Sequence, residues 1–257
     1  MISSTHQTAL IGHTGFVGSN ILNGIHFSAT YNSANFKHLT GGIFELVVCA
    51  GVSATKWLAN RNPDEDWRRI EELWSVLETV DAQTFVLIST VDVYPHPHNV
   101  SESHSPISNN GPQFSYGNHR RELELRILRR FENAKILRLP GLFGPGLKKN
   151  VIFDLVNGNN VDQIDPNSMF QWYPTRRLAS DLRILINSDI RVLNVAPEPI
   201  LTKDIAHAFF PNVNLQDRPG PPAQYDMRTE HPGLLGGSGH YHFRRDEILC
   251  EMKHFLG

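Results

Sequence analysis

Two cysteines in 257 residues, Cys49 and Cys250, do not make a disulfide framework. No C-x-x-C or H-E-x-x-H spacing occurs and the thirteen histidines are scattered, so no metal site is expected. No apolar run approaches the length of a membrane-spanning helix. Met1-Ile2-Ser3-Ser4-Thr5-His6 lacks the charged and apolar regions of a secretory leader, and a cytoplasmic location is expected. A surplus of either charge is missing too: 24 Lys and Arg against 26 Asp and Glu leave a formal net charge of −2. Without a basic stripe, neither nucleic acid nor an anionic membrane is an expected partner. The densest basic stretch, Arg120-Arg121 to Arg129-Arg130, is interleaved with Glu122 and Glu124 and reads as a solvated helix face. Internal repeats are absent as well. The length suits one large α/β unit or such a unit with a modest lobe.

What is present is Gly12-His13-Thr14-Gly15-Phe16-Val17-Gly18, set between an apolar strand, Thr8 to Ile11, and a helical segment, Phe16 to Leu22. A glycine-rich turn from strand to helix is a dinucleotide-binding context. Glycines permit the tight turn and close backbone approach, and the helix N-terminus offers N–H groups to a pyrophosphate. Gly12, Thr14, Gly15, Phe16, Val17 and Gly18 are the candidate contacts. The glycine spacing departs from the commonest fingerprint, so the loop needs a parallel sheet and a catalytic group beside it to carry weight.

His26 to Tyr31 reads as a second strand and Asn32-Ser33-Ala34-Asn35 as the turn after it. An acidic residue here would bind the adenosine ribose 2′-hydroxyl, but no Asp or Glu stands between residues 19 and 44. Asn32 and Ser33, with Lys37 nearby, suit a 2′-phosphate, a slight lean from NAD toward NADP. The room from Ala34 to Glu45 is too short for a full helix and strand. Phe44 to Gly51 is a buried strand ending in Cys49, Ala50 and Gly51, small residues that leave space for a cofactor against the backbone. Beyond Asn62 a helix with an acidic first turn carries Ile70, Leu73, Trp74, Leu77 and Val80 at helical spacing. Lys56 and Trp57 lie on the loop expected to border the site.

Phe85 to Thr90 is the next buried strand, and ligands sit beyond the carboxyl ends of such strands. That singles out Ser89, Thr90 and Asp92. Residues 95–115 read as a loop and candidate lid, Tyr116 to about Phe131 as a helix, and Ala134 to Leu139 as a strand. Val151 to Val156, Arg176 to Ile186 and Arg245 to Leu256 read as helices, and Arg191 to Val195 as a strand.

Five blocks in order carry a resemblance: G-H-T-G-F-V-G at 12–18, C-A-G at 49–51, I-S-T-V-D-V-Y at 88–94, Y-G-N-H-R at 116–120 and L-R-L-P-G-L-F-G-P-G at 137–146. Together they resemble the extended short-chain dehydrogenase/reductase family, which includes sugar-nucleotide epimerases, dehydratases and reductases. The resemblance covers roughly residues 8–200. It implies an α/β fold, a doubly wound parallel (Rossmann) sheet with a small mixed C-terminal substrate lobe. The expected division is 1–146 for the dinucleotide-binding domain, with a returning segment about 176–200, and 147–257 for the lobe. NAD or NADP is the implied cofactor and a nucleotide sugar the implied substrate. A homodimer through the helices that begin near Asp64 and Tyr116 is also implied, with Leu73, Trp74, Leu77, Leu125 and Leu128 serving that contact or the core.

The resemblance assigns roles too. Tyr116, at the tyrosine of Y-x-x-x-K, exchanges a proton with the sugar hydroxyl or keto oxygen while the nicotinamide takes or gives a hydride. Thr90 hydrogen-bonds the same oxygen. A phenol ionises at about pH 10 in water, so such a tyrosine needs a cation, which the family's lysine supplies one helical turn further on. Position 120 is instead Arg, which keeps the charge that favours phenolate but cannot relay a proton. The family's dehydratases carry an Asp-Glu pair after the threonine. Val91-Asp92 retains only Asp92 as a candidate acid or base, which favours keto-reduction or epimerisation. Pro140 and Leu142 are implied on the nicotinamide side, and Asn150, Gln171 and Arg176 on the sugar nucleotide, arginine being suited to a diphosphate. Two other readings stay open: a non-catalytic NAD(P)-binding sensor or assembly protein that has lost the lysine, and a reductase for a small carbonyl compound.

Overall fold

Apolar runs bounded by glycine and asparagine turns set the alternation of strand and helix in the first half of the chain. In the computed structural model these runs become β1 (Thr8–Ile11), α1 (Phe16–Leu22), β2 (Ala29–Tyr31), β3 (Ile43–Cys49), α2 (Lys56–Arg61), α3 (Pro63–Leu77) and β4 (Asp81–Thr90). They continue as β5 (His98–Val100), α4 (Ser115–Arg130), β6 (Ala134–Leu139), β7 (Gly141–Phe143), α5 (Val151–Asn157), β8 (Met169–Phe170) and β9 (Trp172–Pro174). The chain ends through α6 (Leu178–Ile186), β10 (Val192–Asn194), β11 (Ile200–Leu201), α7 (Thr202–Phe209), β12 (Asp226–Met227) and α8 (Arg245–Leu256). The structure describes residues 7–106 and 111–257. The six N-terminal residues, where no leader pattern is read, and 107–110, the middle of the expected lid, lie outside the described residues.

Two compact units arise. The first holds the chain through Pro95, Ser105–Arg138 and Leu178–Leu193; the second holds His96–His104, Leu139–Arg177 and Asn194–Gly257. The expected boundary at 146 therefore moves. β5 pairs with β12, and β7 pairs in parallel with β9, which draws both β5 and β7 into the second unit.

The first unit is built on a six-stranded sheet of order β10-β6-β4-β3-β1-β2. The β1–β2, β1–β3 and β3–β4 pairings are parallel. From β1 the chain steps one way to β2 and then returns past it to β3 and β4. The strand order thus reverses at β1 and β3, the place where open α/β sheets bind ligands. A short 3-10 turn, Phe36–Leu39, stands where the second crossover helix would be, as the short Ala34–Glu45 span requires.

Alternate residues face opposite sides of the sheet. Ala9, Ile11, Val47, Cys49, Phe85 and Leu87 share a core with Ile70, Leu73, Val76 and Leu77 of α3 and Leu123 and Ile127 of α4. Leu10, Val48 and Val86 are buried as the intervening residues, and α1 and α6, packed on each other, bury Ile21, Leu178, Leu182 and Leu185. Leu73 and Leu77 thus belong to the core. α3 forms readily: Pro63 opens it, and Asp64, Glu65 and Asp66 complement the dipole in its first turn.

The second unit is assembled from two-stranded pieces, β11–β8, β12–β5 and β7–β9. Its core includes Phe143, Tyr173, Ile200, Ile205, Phe243, Ile248 and Met252. The helix expected from Arg176 begins at Leu178, after a 3-10 turn over Thr175–Arg177.

Candidate active site

The glycine loop takes the form its residues require. Gly12 has a φ of +84°, and a Cβ there would lie 2.4 Å from the Ala50 carbonyl oxygen. Only glycine lets the end of β1 pass this close to the end of β3. The Gly12 N–H donates to the Tyr31 carbonyl at 2.7 Å, tying the loop to β2 as well. Gly15 is the N-cap of α1 and, among the described residues, no side chain caps that helix. Thr14 and Gly15 are exposed, Phe16 and Val17 half-buried and Gly18 buried. Such a cradle fits a dinucleotide pyrophosphate.

After β2, Asn32 and Ser33 stand where expected, in a turn held by its own side chains. Asn32 Oδ1 accepts from the Ala34 N–H at 2.9 Å, and Asn35 Oδ1 accepts from the Asn32 N–H at 2.7 Å. Ser33 is exposed. At the end of β3, Ala50 is half-buried and Gly51 exposed, but the Cys49 side chain is fully buried in the core. Burial pushes its thiol up to about 11. Strand alternation turns the Cys49 side chain inward, so only its backbone borders the space expected for a cofactor.

Thr90, Asp92, Tyr116 and Arg120 come together in the first unit. Thr90 ends β4, and its Oγ1 accepts from the Asp92 N–H at 3.2 Å, capping the 3-10 turn Val91–Val93. The same hydroxyl is close enough to the Tyr116 phenol to favour its ionised form. α4 brings Tyr116 to that turn by close contact: a Cβ on Gly117 would lie 1.9 Å from the Asp92 carbonyl oxygen. The helix start is fixed from α2, where Asn60 accepts from the Tyr116 N–H at 2.9 Å and donates to the Gln113 carbonyl at 2.8 Å. Lys56, also in α2, places Nζ 2.6 Å from Asp92 Oδ1.

Arg120 is no surface arginine; it is 4 % exposed. Its guanidinium lies 4.0 Å from the centroid of the Tyr116 ring. Nη1 and Nη2 both donate to the Asp66 carboxylate, the second at 2.9 Å, and Nη2 also donates to the Ser53 carbonyl at 2.5 Å. Nε is a buried donor without a partner among the described residues. His119 Nδ1 lies 2.8 Å from the same Asp66. Burial alone would raise Asp66, but the hydrogen bonds from His119 and Arg120 and the Arg120 charge outweigh it and hold the carboxyl below its ordinary value.

At Tyr116 the balance goes the other way. Burial pushes the phenol above its ordinary value of 10.0, and Asp92 pushes in the same direction. The charge of Arg120, the nearby Thr90 hydroxyl and the charge of Lys56 pull it down without prevailing. The pull of Arg120 toward phenolate is present in the expected direction, but burial outweighs it.

Glu124, one turn beyond Arg120, corrects the expected solvated face. It is 0 % exposed and forms a two-pronged pair with Arg138, Nε to Oε1 at 2.9 Å and Nη2 to Oε2 at 2.7 Å. Ser89 donates to Glu124 at 2.6 Å, and Arg138 Nη1 donates to the Tyr94 hydroxyl at 2.6 Å. This network ties α4 to the end of β4 beneath the Thr90–Tyr116 pair.

The remaining candidates lie in the second unit. Pro140 and Leu142 flank and join β7, where the Leu142 carbonyl accepts from Asn150 Nδ2 at 2.8 Å. Asn150 is the N-cap of α5, its Oδ1 accepting from the Phe153 N–H at 3.1 Å. Gln171 is 1 % exposed. Its amide donates to the Pro197 and Met227 carbonyls at 2.6 and 2.7 Å and accepts from the Met227 N–H at 2.7 Å. Gln171 therefore ties three backbone segments together instead of facing a substrate, correcting that expectation. Arg176 is exposed and paired through both prongs with Glu251. No group of three or more His, Cys, Asp or Glu among the described residues is arranged to hold a metal. No helix among them is long and apolar enough to cross a membrane.

Sequence reasoning placed Lys56 beside the site but did not pair it with Asp92, and it missed Asn60, Asp66 and His119. Asp66 reads as an ordinary first-turn acid, and nothing local marks it as the partner of a residue 54 positions away.

No family model and no curated protein matches the chain. Among solved structures it is similar to the UDP-N-acetylglucosamine 4-epimerase from Methanobrevibacter ruminantium M1 in complex with UDP-N-acetylmuramic acid. That match has a TM-score of 0.72 and 15% identity, covering 98% of this chain and 96% of that one. An NAD-dependent NDP-hexosamine 5,6-dehydratase involved in tunicamycin biosynthesis is similar at a TM-score of 0.72 and 15% identity, covering 91% of this chain and 94% of that one.

 RMD from Pseudomonas aeruginosa complexed with NADPH is similar at a TM-score of 0.66 and 18% identity, covering 91% of this chain and 93% of that one. At these identities the likeness is one of fold, an α/β Rossmann-like fold with a parallel six-stranded sheet.

Proposed function

We propose that the chain is an NAD(P)-dependent oxidoreductase or epimerase acting on a nucleotide-activated sugar, with Tyr116 as its acid and base. The observation that carries this reading is the convergence of Thr90 and Tyr116 at the carboxyl end of β4, in a sheet whose β1–β3 switch point bears the Gly12 loop. The names of the similar structures support it: two are nucleotide-sugar enzymes and one is an NADPH complex. Gly12, Thr14, Gly15, Phe16, Val17, Gly18, Ala50 and Gly51 would hold the dinucleotide, with Asn32 and Ser33 at its ribose and a slight lean to NADP. The cofactor supplies or accepts the hydride. Thr90 orients the reacting oxygen, and Tyr116 holds the proton that this oxygen gains or loses. Because burial keeps the phenol protonated, Tyr116 is ready to act as an acid toward a carbonyl oxygen, the direction of keto-reduction.

The test is reduction of keto-sugar nucleotides by NADPH or NADH, followed by loss of the reduced nicotinamide absorbance. Tyr116→Phe is expected to lower turnover at least about 100-fold with cofactor binding retained. A second reading, a non-catalytic NAD(P)-binding protein, is favoured by the engagement of Arg120 with Asp66. Cofactor binding without turnover on any keto-sugar nucleotide, and gain of turnover in Arg120→Lys, would support that reading instead.

A further inference from the structure

Arg120 has its two terminal nitrogens on Asp66, so its charge is shared with that pair. A second cation approaches the phenol from another element. Lys56 of α2 lies 2.6 Å from Asp92 Oδ1, and Asp92 Oδ2 lies 3.5 Å from the Thr90 hydroxyl, which itself acts on Tyr116. The charged groups around Tyr116 are therefore Arg120 on its own helix, Asp92 on the turn after β4 and Lys56 on α2. Asp66 of α3 stands behind Arg120, with His119 on its far side.

We propose that Lys56 is a positioning residue for the candidate reaction: its ammonium compensates Asp92 beside Thr90, so that no bare carboxylate opposes departure of the Tyr116 proton. The catalytic meaning of this assignment rests on the function proposed above; its electrostatic content does not. Asp92 and Lys56 act on the phenol in opposite directions, upward and downward. Stability is a poor explanation for the pair, because the Lys56 side chain is 46% exposed and such exposed ion pairs contribute little. Removing Lys56 should leave the fold in place and take the ammonium counter-charge from Asp92.

The test compares Lys56→Ala, Lys56→Arg, Asp92→Asn and the Lys56→Ala/Asp92→Asn double variant with the natural protein. Tyr116 is titrated by NMR in protein carrying isotope-labelled tyrosine, its resonance assigned with Tyr116→Phe. The pH dependence of hydride transfer is measured on the same proteins. Lys56→Ala is expected to move the Tyr116 midpoint up by about one pH unit. Lys56→Arg should leave it in place, Asp92→Asn should lower it, and the double variant should return it close to the natural value. A resonance that stays unmoved to the alkaline limit of folding in Lys56→Ala, while moving earlier in Asp92→Asn, satisfies the same ordering. Indistinguishable Tyr116 titrations in all five proteins would overturn the proposal. Ordered titrations without hydride transfer by the natural protein would instead overturn the enzymatic reading and leave the charge assignment standing.

Discussion

At Tyr116 burial favours the neutral phenol while Arg120 favours the phenolate, and burial prevails. The guanidinium also gives both prongs to Asp66. Arg120→Ala would leave Asp66 buried with His119 alone, and a loss of about 3–5 kcal/mol is expected in urea unfolding. The arginine at position 120 was legible, whereas its partner was not, since 54 residues separate the two. His242 gives a residue-scale test in the second unit. Its Nδ1 accepts from the Ala196 N–H at 3.2 Å, and burial lowers it from 6.5 to about 4. The unfolded imidazole binds a proton near 6.5 and the folded one only near 4. This contribution is therefore complete above the unfolded value and lost as pH falls through that window, about 3 kcal/mol in all. Urea midpoints measured across the window should fall accordingly, and His242→Gln should flatten the dependence.

α4 is the element on which the candidate site turns. Tyr116, Arg120 and Glu124 recur every fourth residue and so share one face, while Gly117 permits the helix to touch the turn after Thr90. Gly117→Ala is expected to push α4 from that turn and reduce turnover by more than about tenfold, with helix content by circular dichroism unchanged. Glu124→Gln leaves Arg138 buried without its counter-charge, and a loss of about 3 kcal/mol is expected in unfolding experiments on the variant. The limits of α4 were legible from its apolar spacing, as were Leu123 and Ile127 in its core stripe. Its charged face was not: arginine and glutamate four apart look the same in sequence on a wet surface or in a buried network. Only the strands packed against α4 decide, and they lie elsewhere in the chain.

Across the whole molecule, legibility follows the range of the contacts. The first unit was readable because its signals are local: Gly12 sits directly after β1, and Thr90 directly ends β4. The second unit is stitched from distant pieces. β5 pairs with β12 and β8 with β11, strands of two or three residues that are too short to show a period of two. Gln171 illustrates the cost of that brevity, since a polar residue between short strands read as a ligand contact and proved to be a buried tie between backbone segments. The central claim concerns the Gly12 loop and the nicotinamide dinucleotide it would hold, and one measurement tests it most directly: fluorescence titration of the protein with NADPH and, separately, NADH. Saturable binding, tighter for NADPH and lost in Gly12→Val, where the added side chain meets the Ala50 carbonyl, is the predicted result. Failure of the folded protein to bind either dinucleotide would contradict the account.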